Sequence, residues 1–386
     1  MFVHDIGSKE FPLLSSLISS QTVALIGPDV SPLSLAEVLT RVPDPRRKRG
    51  VRYPLAEILA VVVCAVVAGS RTFTMIAEWA VHAAKQRPVT ASGRVPSLAT
   101  IHRLCTLIDA EALDAALTGW TREKCRPRAI AIDGKEVRGA KHADGQRVFL
   151  MAALDHGTGC VLGQELVGAK TNEIPHLPAL LDQLGELTGV VVTADALHTL
   201  AQQAEALHAR GAHYVFTVKA NQPSLRDRIA SQTWASLPPQ HTLREKGHGR
   251  TTTWQITTQP AQAWIGFPHA EQTIRLSRDR IEHRNGEATR EPVYAITSLS
   301  PEQASPAELA AFIRGHWGIE NRLHWVRDVT YDEDRSQVRT GNGPRLMAAI
   351  RNLAISIHRL AGATNIAHAT RAAMREPEIA RHLTGL

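Results

Sequence analysis

A chain of 386 residues with 44 Lys and Arg against 37 Asp and Glu, net charge +7, is long enough for two or three domains whose cores need no staples. Its four cysteines, Cys64, Cys105, Cys125 and Cys160, have no paired spacing, which argues against a disulfide scaffold, a thiolate zinc site or a redox motif and suits a reducing cytoplasm. The pI of about 9.5 comes from a clustered positive excess, so a polyanionic partner is expected, nucleic acid before membrane.

In chain order, Met1 to Glu10 contains Asp5 and Glu10 and lacks a cationic start leading into an apolar run, so no targeting segment is expected. Arg41 to Tyr53 crowds Arg41, Arg46, Arg47, Lys48, Arg49 and Arg52 around Pro43, Pro45 and Gly50. This is either a solvated charge run or a phosphate-gripping arm, and Arg46, Arg47, Lys48 and Arg49 are its candidate DNA contacts. Ile58 to Gly69 is too short to span a bilayer and reads as a buried helix. Ser97 is placed to cap a helix over Leu98 to Ile108, which either packs or serves as the recognition helix of a helix-turn-helix unit. Residues 1–125 as a whole read as helical.

The pattern then becomes strand-like. Arg128 to Asp133, Arg147 to Leu154 and Cys160 to Val167 predict a three-strand antiparallel meander, with a turn at Asp155 to Gly159. A helix over about Ile174 to Gly185, a buried strand Gly189 to Ala194, a helix over about Leu200 to Arg210 and a strand His213 to Lys219 complete a mixed sheet with helices on its faces. Asp133 and Asp195 both sit at the carboxyl end of an apolar strand, where ligands of open α/β sheets gather. Each also has a local explanation, a hairpin turn for Asp133-Gly134 and a helix cap for Asp195.

Phe312 to Arg327 is the third place of interest. On an α-helix, Ile313, His316, Glu320, His324 and Arg327 fall within a roughly 80° sector, so one face would carry a carboxylate flanked by cations. That face suits a metal held by Glu320 and an anion, most naturally a phosphate, held by His316 and Arg327. Three carboxylates in one pocket resist ionisation unless a cation neutralises them, and hard oxygen donors point to Mg²⁺ or Mn²⁺.

Five motifs carry a specific resemblance: Ala131 to Lys135, Lys170 to Ile174, Val192 to Ala196, Val218 to Pro223, and His316 to Trp325 continued by Asp328 to Asp334. Over about Val42 to Leu360 the chain resembles an insertion-sequence transposase of the ISAs type, within the DDE superfamily built on a ribonuclease-H-like core. The resemblance implies Asp133, Asp195 and Glu320 as the acidic triad holding two Mg²⁺ or Mn²⁺ ions. It implies an N-terminal helical domain (1–125) that binds DNA ends, a catalytic domain (126–340) and a C-terminal helical segment (341–386). His316, Arg327, His324 and Lys219 would be phosphate contacts. In the related superfamily, Tyr and Arg precede the Glu and a Lys follows it; here Ile313, His316 and Arg327 stand there, and Leu200 replaces a Gln after the second Asp. The expected partners are terminal inverted repeats and target DNA, engaged as a homodimer on the bacterial nucleoid.

Residues of about 221–305 interrupt the core with alternating runs, Thr251 to Thr258, Thr273 to Ser277 and Val293 to Thr297, that predict strands of a β-rich insertion. Arg244, Lys246, His248 and Arg250 there, with Trp254 and Trp264, either line a DNA groove or, for the tryptophans, fill a small core. A two-metal nuclease without strand transfer and an inactive DNA-binding relic remain as alternatives.

Overall fold

The computed structural model describes residues 33–386 apart from 48, 50, 142–146, 169–172, 248 and 285–287, so Lys48, His248, Met1 to Glu10 and the first part of the Lys170 motif lie outside the described residues. Five helices open the described chain: α1 (Leu35–Thr40), α2 (Leu55–Val67), α3 (Phe73–Ala84), α4 (Leu98–Leu107) and α5 (Ala110–Glu123). Their starts are written in the sequence. Ser34, Thr72, Ser97 and Asp109 each accept a hydrogen bond from a backbone N–H of the first turn, satisfying donors that a helix end would otherwise leave bare. The apolar α2, whose one charged residue is Glu57 in its first turn, is buried on nearly every side.

The sheet follows with β1 (Ala129–Lys141), β2 (Arg147–Asp155), β3 (Val161–Val167), α6 (Leu177–Leu184), β4 (Val191–Ala194), α7 (Ala201–His208) and β5 (His213–Val218). Its first five strands lie in the order β3-β2-β1-β4-β5, antiparallel across β3, β2 and β1 and parallel across β1, β4 and β5. The expected end of the first strand at Asp133 is corrected: Asp133-Gly134 makes no turn, because Gly134 pairs with Met151 and the ladder to β2 carries β1 onward. What ends near Asp133 is the parallel pairing with β4, whose last registered pair is Ile132 with Ala194.

The insertion contains α8 (Pro223–Ala230), β6 (His241–Gly247), β7 (Arg250–Pro260), β8 (Gln272–Glu282) and β9 (Ala288–Thr297). It extends the core sheet rather than standing apart, since β9 pairs antiparallel with β5 and, among the described residues, a single sheet of nine strands results. The sequence does not predict β6, because its exposed, charged residues give no apolar alternation. After the insertion come α9 (Pro306–His316), α10 (Gly343–Leu360), α11 (Ile366–Arg375) and α12 (Pro377–Thr384).

One face of the sheet is covered by α6, α7 and α8 around Leu177, Leu181, Leu207 and Ile229. The other face receives α9 over Ala129, Val191 and Val215. The architecture is the α/β, ribonuclease-H-like mixed sheet with flanking helices and a β-rich insertion, preceded by a mostly helical N-terminal domain. Residues 341–386 share one core with the N-terminal helices, since α10 packs against α2, α4 and α5 and also touches β3. Among the described residues no helix is long and apolar enough to cross a membrane.

Candidate active site

Asp133 and Asp195 each stand one residue beyond the last parallel pair of β1 and β4, so strand alternation turns them to the same face, the one on which α9 packs. Lys219 follows β5 at the same edge and is exposed. Asp195 also accepts the Leu197 N–H at 2.9 Å, so it caps the short turn after β4 as well as facing the site. Burial pushes the Asp133 carboxyl up to about 7, and the negative charges of Asp195, Glu173 and Glu320 push the same way. The three expected acids are therefore neighbours, joined by Glu173 of the Lys170 motif, a residue whose place at the site no local pattern announces. Glu173 lies so close to Gly134 that a Cβ there would collide with its carboxylate, and its Oε2 is 3.3 Å from Nε2 of the buried His198.

Beyond His316 the expected regular α-helix is replaced. The chain turns at Trp317 and continues in two π-wound turns, Glu320–His324 and Val326–Thr330. Gly315 permits the approach of α9, because a Cβ there would strike the His156 ring at the β2–β3 turn. Arg322 then ties the π-wound segment to that turn, donating to the carbonyls of His156 at 2.8 Å and Thr158 at 2.7 Å. Within this frame Glu320 is exposed, and His324 places Nδ1 3.6 Å from Asp133 Oδ2.

The cations expected around Glu320 are corrected by their surroundings. Burial pushes His316 down to about 4, with Asp195 opposing and Lys219 assisting, and its Nδ1 lies 3.3 Å from Thr193 Oγ1, which also contacts His156 Nε2 at 2.9 Å. Burial, then Arg327 and Lys135, push His324 down to about 3. Both rings are thus neutral near pH 7 and serve as hydrogen-bonding groups, not as anion-gripping charges. Arg327 is fully buried: its Nε and Nη2 donate to Glu333 at 2.8 and 2.9 Å, and its Nη1 reaches Gln164 at 3.3 Å. No DNA phosphate can reach that guanidinium.

Arg327 belongs to a buried ion network. Arg351 Nη1 of α10 donates to the same Glu333 carboxylate at 2.9 Å. Burial would raise the Glu333 pKa, but Arg327 and Arg351 outweigh it and hold the acid at about 2. Lys135, two residues after Asp133 on the same face of β1, brings Nζ within 2.6 Å of Asp328, 3.4 Å of Asp334 and 3.9 Å of Glu333. Strand β1, the π-wound segment and α10 are locked together by these charges.

Among the basic residues of the N-terminal arm, Arg46 is committed to the fold, donating to Asp44 at 2.8 and 2.7 Å and to the Tyr53 carbonyl at 2.9 Å. Arg47 and Arg49 are exposed. In the insertion, Trp254 is buried against Trp317, with ring centroids 5.4 Å apart, whereas Trp264 is exposed. The donor set of Asp133, Asp195 and Glu320 is all hard oxygen and suits Mg²⁺ or Mn²⁺, and a bound cation would offset the burial and the neighbouring negative charges that raise Asp133. Among the described residues, no three His, Cys, Asp or Glu side chains are drawn to the spacing that one metal ion requires.

A family model described as "Transposase DDE domain" matches residues 124–357, and one described as "DDE_Tnp_1-associated" matches residues 36–121. The chain is 28% identical over 346 residues to "Putative transposase YncI" of Escherichia coli O157:H7, covering 84% of this chain and 87% of that protein. It is 28% identical over 345 residues to "H repeat-associated putative transposase YhhI" of Escherichia coli strain K12, covering 84% and 89%. A solved synaptic complex of piggyBac transposase with hairpin DNA aligns at 11% identity with a TM-score of 0.41, over 91% of this chain and 76% of that one, a likeness too loose to carry an argument.

Proposed function

Since the chain belongs to the transposase DDE domain family, we propose that it is the transposase of a bacterial insertion sequence, binding the element's terminal inverted repeats and catalysing phosphodiester hydrolysis and strand transfer. The observation that carries the reading is the register of β1 and β4, which sets Asp133 beside Asp195, together with the π-wound segment that brings His324 to 3.6 Å from Asp133 with Glu320 four residues earlier. In this reading Asp133, Asp195 and Glu320 hold two Mg²⁺ or Mn²⁺ ions. When bound, the ions supply activation of the attacking oxygen and stabilisation of the leaving one in an in-line displacement at phosphorus.

The chain's own residues do the rest. The exposed Lys219 offers a positive charge to a DNA phosphate at the edge where the acids stand. Neutral His324 and His316 pack beside the acids without adding a positive charge that would compete with the cation for them, and Thr193 Oγ1 contacts the His316 ring. Arg47 and Arg49 extend the contact to flanking DNA. The N-terminal segment, residues 1–125, is assigned to end binding and residues 126–340 to chemistry, with two copies on the DNA inside the bacterial cytoplasm.

The test is single-turnover cleavage of a duplex taken from the DNA flanking the gene. Mg²⁺ or Mn²⁺ should support cleavage and joining of the 3′ end to a target. Ca²⁺ should allow binding with little cleavage, because its looser coordination does not hold the displacement geometry. Undiminished cleavage in chelator contradicts the reading, and cleavage without joining makes the protein a nuclease.

A further inference from the structure

The turn between β2 and β3, residues 155–159, is tied to each element that carries one of the three acids. It joins β1 through the pairing of Asp155 with Ile130 and through the His156 N–H, which donates to the Ala129 carbonyl at 3.0 Å. It joins β4 through the His156 ring, whose Nε2 is 2.9 Å from Oγ1 of Thr193, a residue two before Asp195 and so on the same face of the chain. It joins the Glu320 segment through Arg322, two residues after Glu320. That one guanidinium reaches three successive carbonyls: Nη1 donates to His156 at 2.8 Å, and Nη2 donates to Gly157 at 3.3 Å and to Thr158 at 2.7 Å.

The local sequence builds this receptor. The buried Asp155 carboxylate accepts the N–H groups of Gly157 and Thr158, each at 3.1 Å, and the Thr158 hydroxyl at 2.6 Å, while the Asp155 carbonyl accepts the Gly159 N–H at 2.8 Å. With its donors spent inside the turn, the carbonyls of His156, Gly157 and Thr158 are left to a cation. Gly159 has a φ of +76°, and a Cβ there would lie 2.5 Å from Nη2 of Arg322, so glycine meets both the backbone and the space requirement. A planar guanidinium serves three carbonyls at once, which the point charge of a lysine ammonium on its flexible stem does not.

We propose that Arg322 is a positioning residue for the metal site: its clamp on the β2–β3 turn fixes where Glu320 stands relative to Asp133 and Asp195, and thereby sets the affinity of the three acids for Mg²⁺ or Mn²⁺. The inference rests on the proposed metal chemistry at those acids and adds a residue that acts through Glu320. Glu320 is exposed, so its place is set by the backbone that carries it. The buried Ile319 and Leu323 on either side hold that backbone to the core, but apolar contact is non-directional. The three hydrogen bonds of Arg322 supply the direction.

The experiment measures Mn²⁺ binding to the full chain by electron paramagnetic resonance for wild type, Glu320→Gln, Arg322→Lys and Arg322→Gln, with thermal unfolding in chelator alongside. Both Arg322 variants should bind Mn²⁺ roughly tenfold more weakly, as is usual when a group that orients a metal ligand is lost, and should melt in chelator near the wild-type temperature. On an end-containing duplex, the Mn²⁺ concentration for half-maximal cleavage should rise by the same factor, and cleavage should recover as Mn²⁺ is raised. Unchanged Mn²⁺ affinity in both variants overturns the proposal. Wild-type affinity in Arg322→Lys alone also overturns it, since charge and not the guanidinium fork would then matter. So does a loss of Mn²⁺ binding that tracks a fall in melting temperature, which marks Arg322 as a folding residue. If Glu320→Gln binds Mn²⁺ as the wild type does, the assignment of the acids fails and this inference with it; a failure confined to the Arg322 variants leaves that assignment standing.

Discussion

At Asp133, function and stability pull apart. In the absence of metal its folded pKa is about 7, whereas a free aspartate titrates near 3.8. The folded chain thus binds the proton more tightly than the unfolded one, and this stabilisation is complete below about pH 4 and is lost as pH rises toward about 7. Asp133→Asn should raise the stability of the metal-free protein, and the gain should be about 2 kcal/mol larger at pH 8 than at pH 5. Denaturant unfolding in chelator at the two pH values checks this, and a pH-independent effect contradicts it. Glu333 behaves oppositely, with its pKa held at about 2 against the ordinary glutamate value of 4.5. Its contribution is present above about pH 4.5 and fades as pH falls toward 2. Glu333→Gln should cost about 3–5 kcal/mol at neutral pH, because Arg327 and Arg351 would remain buried without their carboxylate. Calorimetric unfolding of the variant should show it, and a shift under about 1 kcal/mol would mean that water reaches the arginines. The placing of Asp133 and Asp195 on one face was legible because an apolar run precedes each, although β1 runs on past Asp133, and Glu320 was marked by its motif. The burial of Arg327 was not legible, since it is made by Glu333 six residues on together with Gln164 of β3 and Asn352 of α10, far off in the chain.

At the scale of elements, short-range signals were legible and winding was not. The cap Ser97, the apolar α2 and the strands on either side of the Asp155 to Gly159 turn stand where short-range chemistry puts them. The break at Trp317 lies between Gly315 and Gly318, but the π-winding of Glu320 to Thr330 contains neither Gly nor Pro to mark it. It is set by tertiary ties: Arg322 to the β2–β3 turn, and Arg327 and Asp328 to the network around Glu333 and Lys135. The N-terminal arm splits in the same way into fold and function. Arg46 is bound to Asp44 and Tyr53, so Arg46→Ala should leave the salt dependence of DNA binding unchanged. Arg47→Ala with Arg49→Ala should flatten the slope of log affinity against log salt by about 2, close to one unit for each phosphate that the arm no longer neutralises. An unchanged slope in the double variant removes the arm from the DNA-binding surface.

For the molecule as a whole, the nine-stranded sheet, the π-wound segment and the helical layer form one connected frame. Helix α10 touches α2, α4 and α5 on one side and β3 on the other, and its Arg351 reaches the network that braces the Glu320 segment. A rearrangement of the helical layer would accordingly be felt at the segment that carries Glu320. The motifs around Asp133, Asp195 and Glu320 made the mixed sheet and the family readable from the chain alone. The joining of the insertion to the core sheet through β5 and β9 was not readable, because pairing between strands as distant in sequence as Val215 and Thr297 leaves no periodic trace. The most direct test of the assignment sets Glu320 against its neighbour Asp328, whose carboxylate is held by Lys135 at 2.6 Å. Single-turnover cleavage of an end-containing duplex should vanish in Glu320→Gln with DNA binding retained, and should persist in Asp328→Asn. Robust cleavage by the Glu320→Gln protein, or complete loss only in Asp328→Asn, would contradict the account.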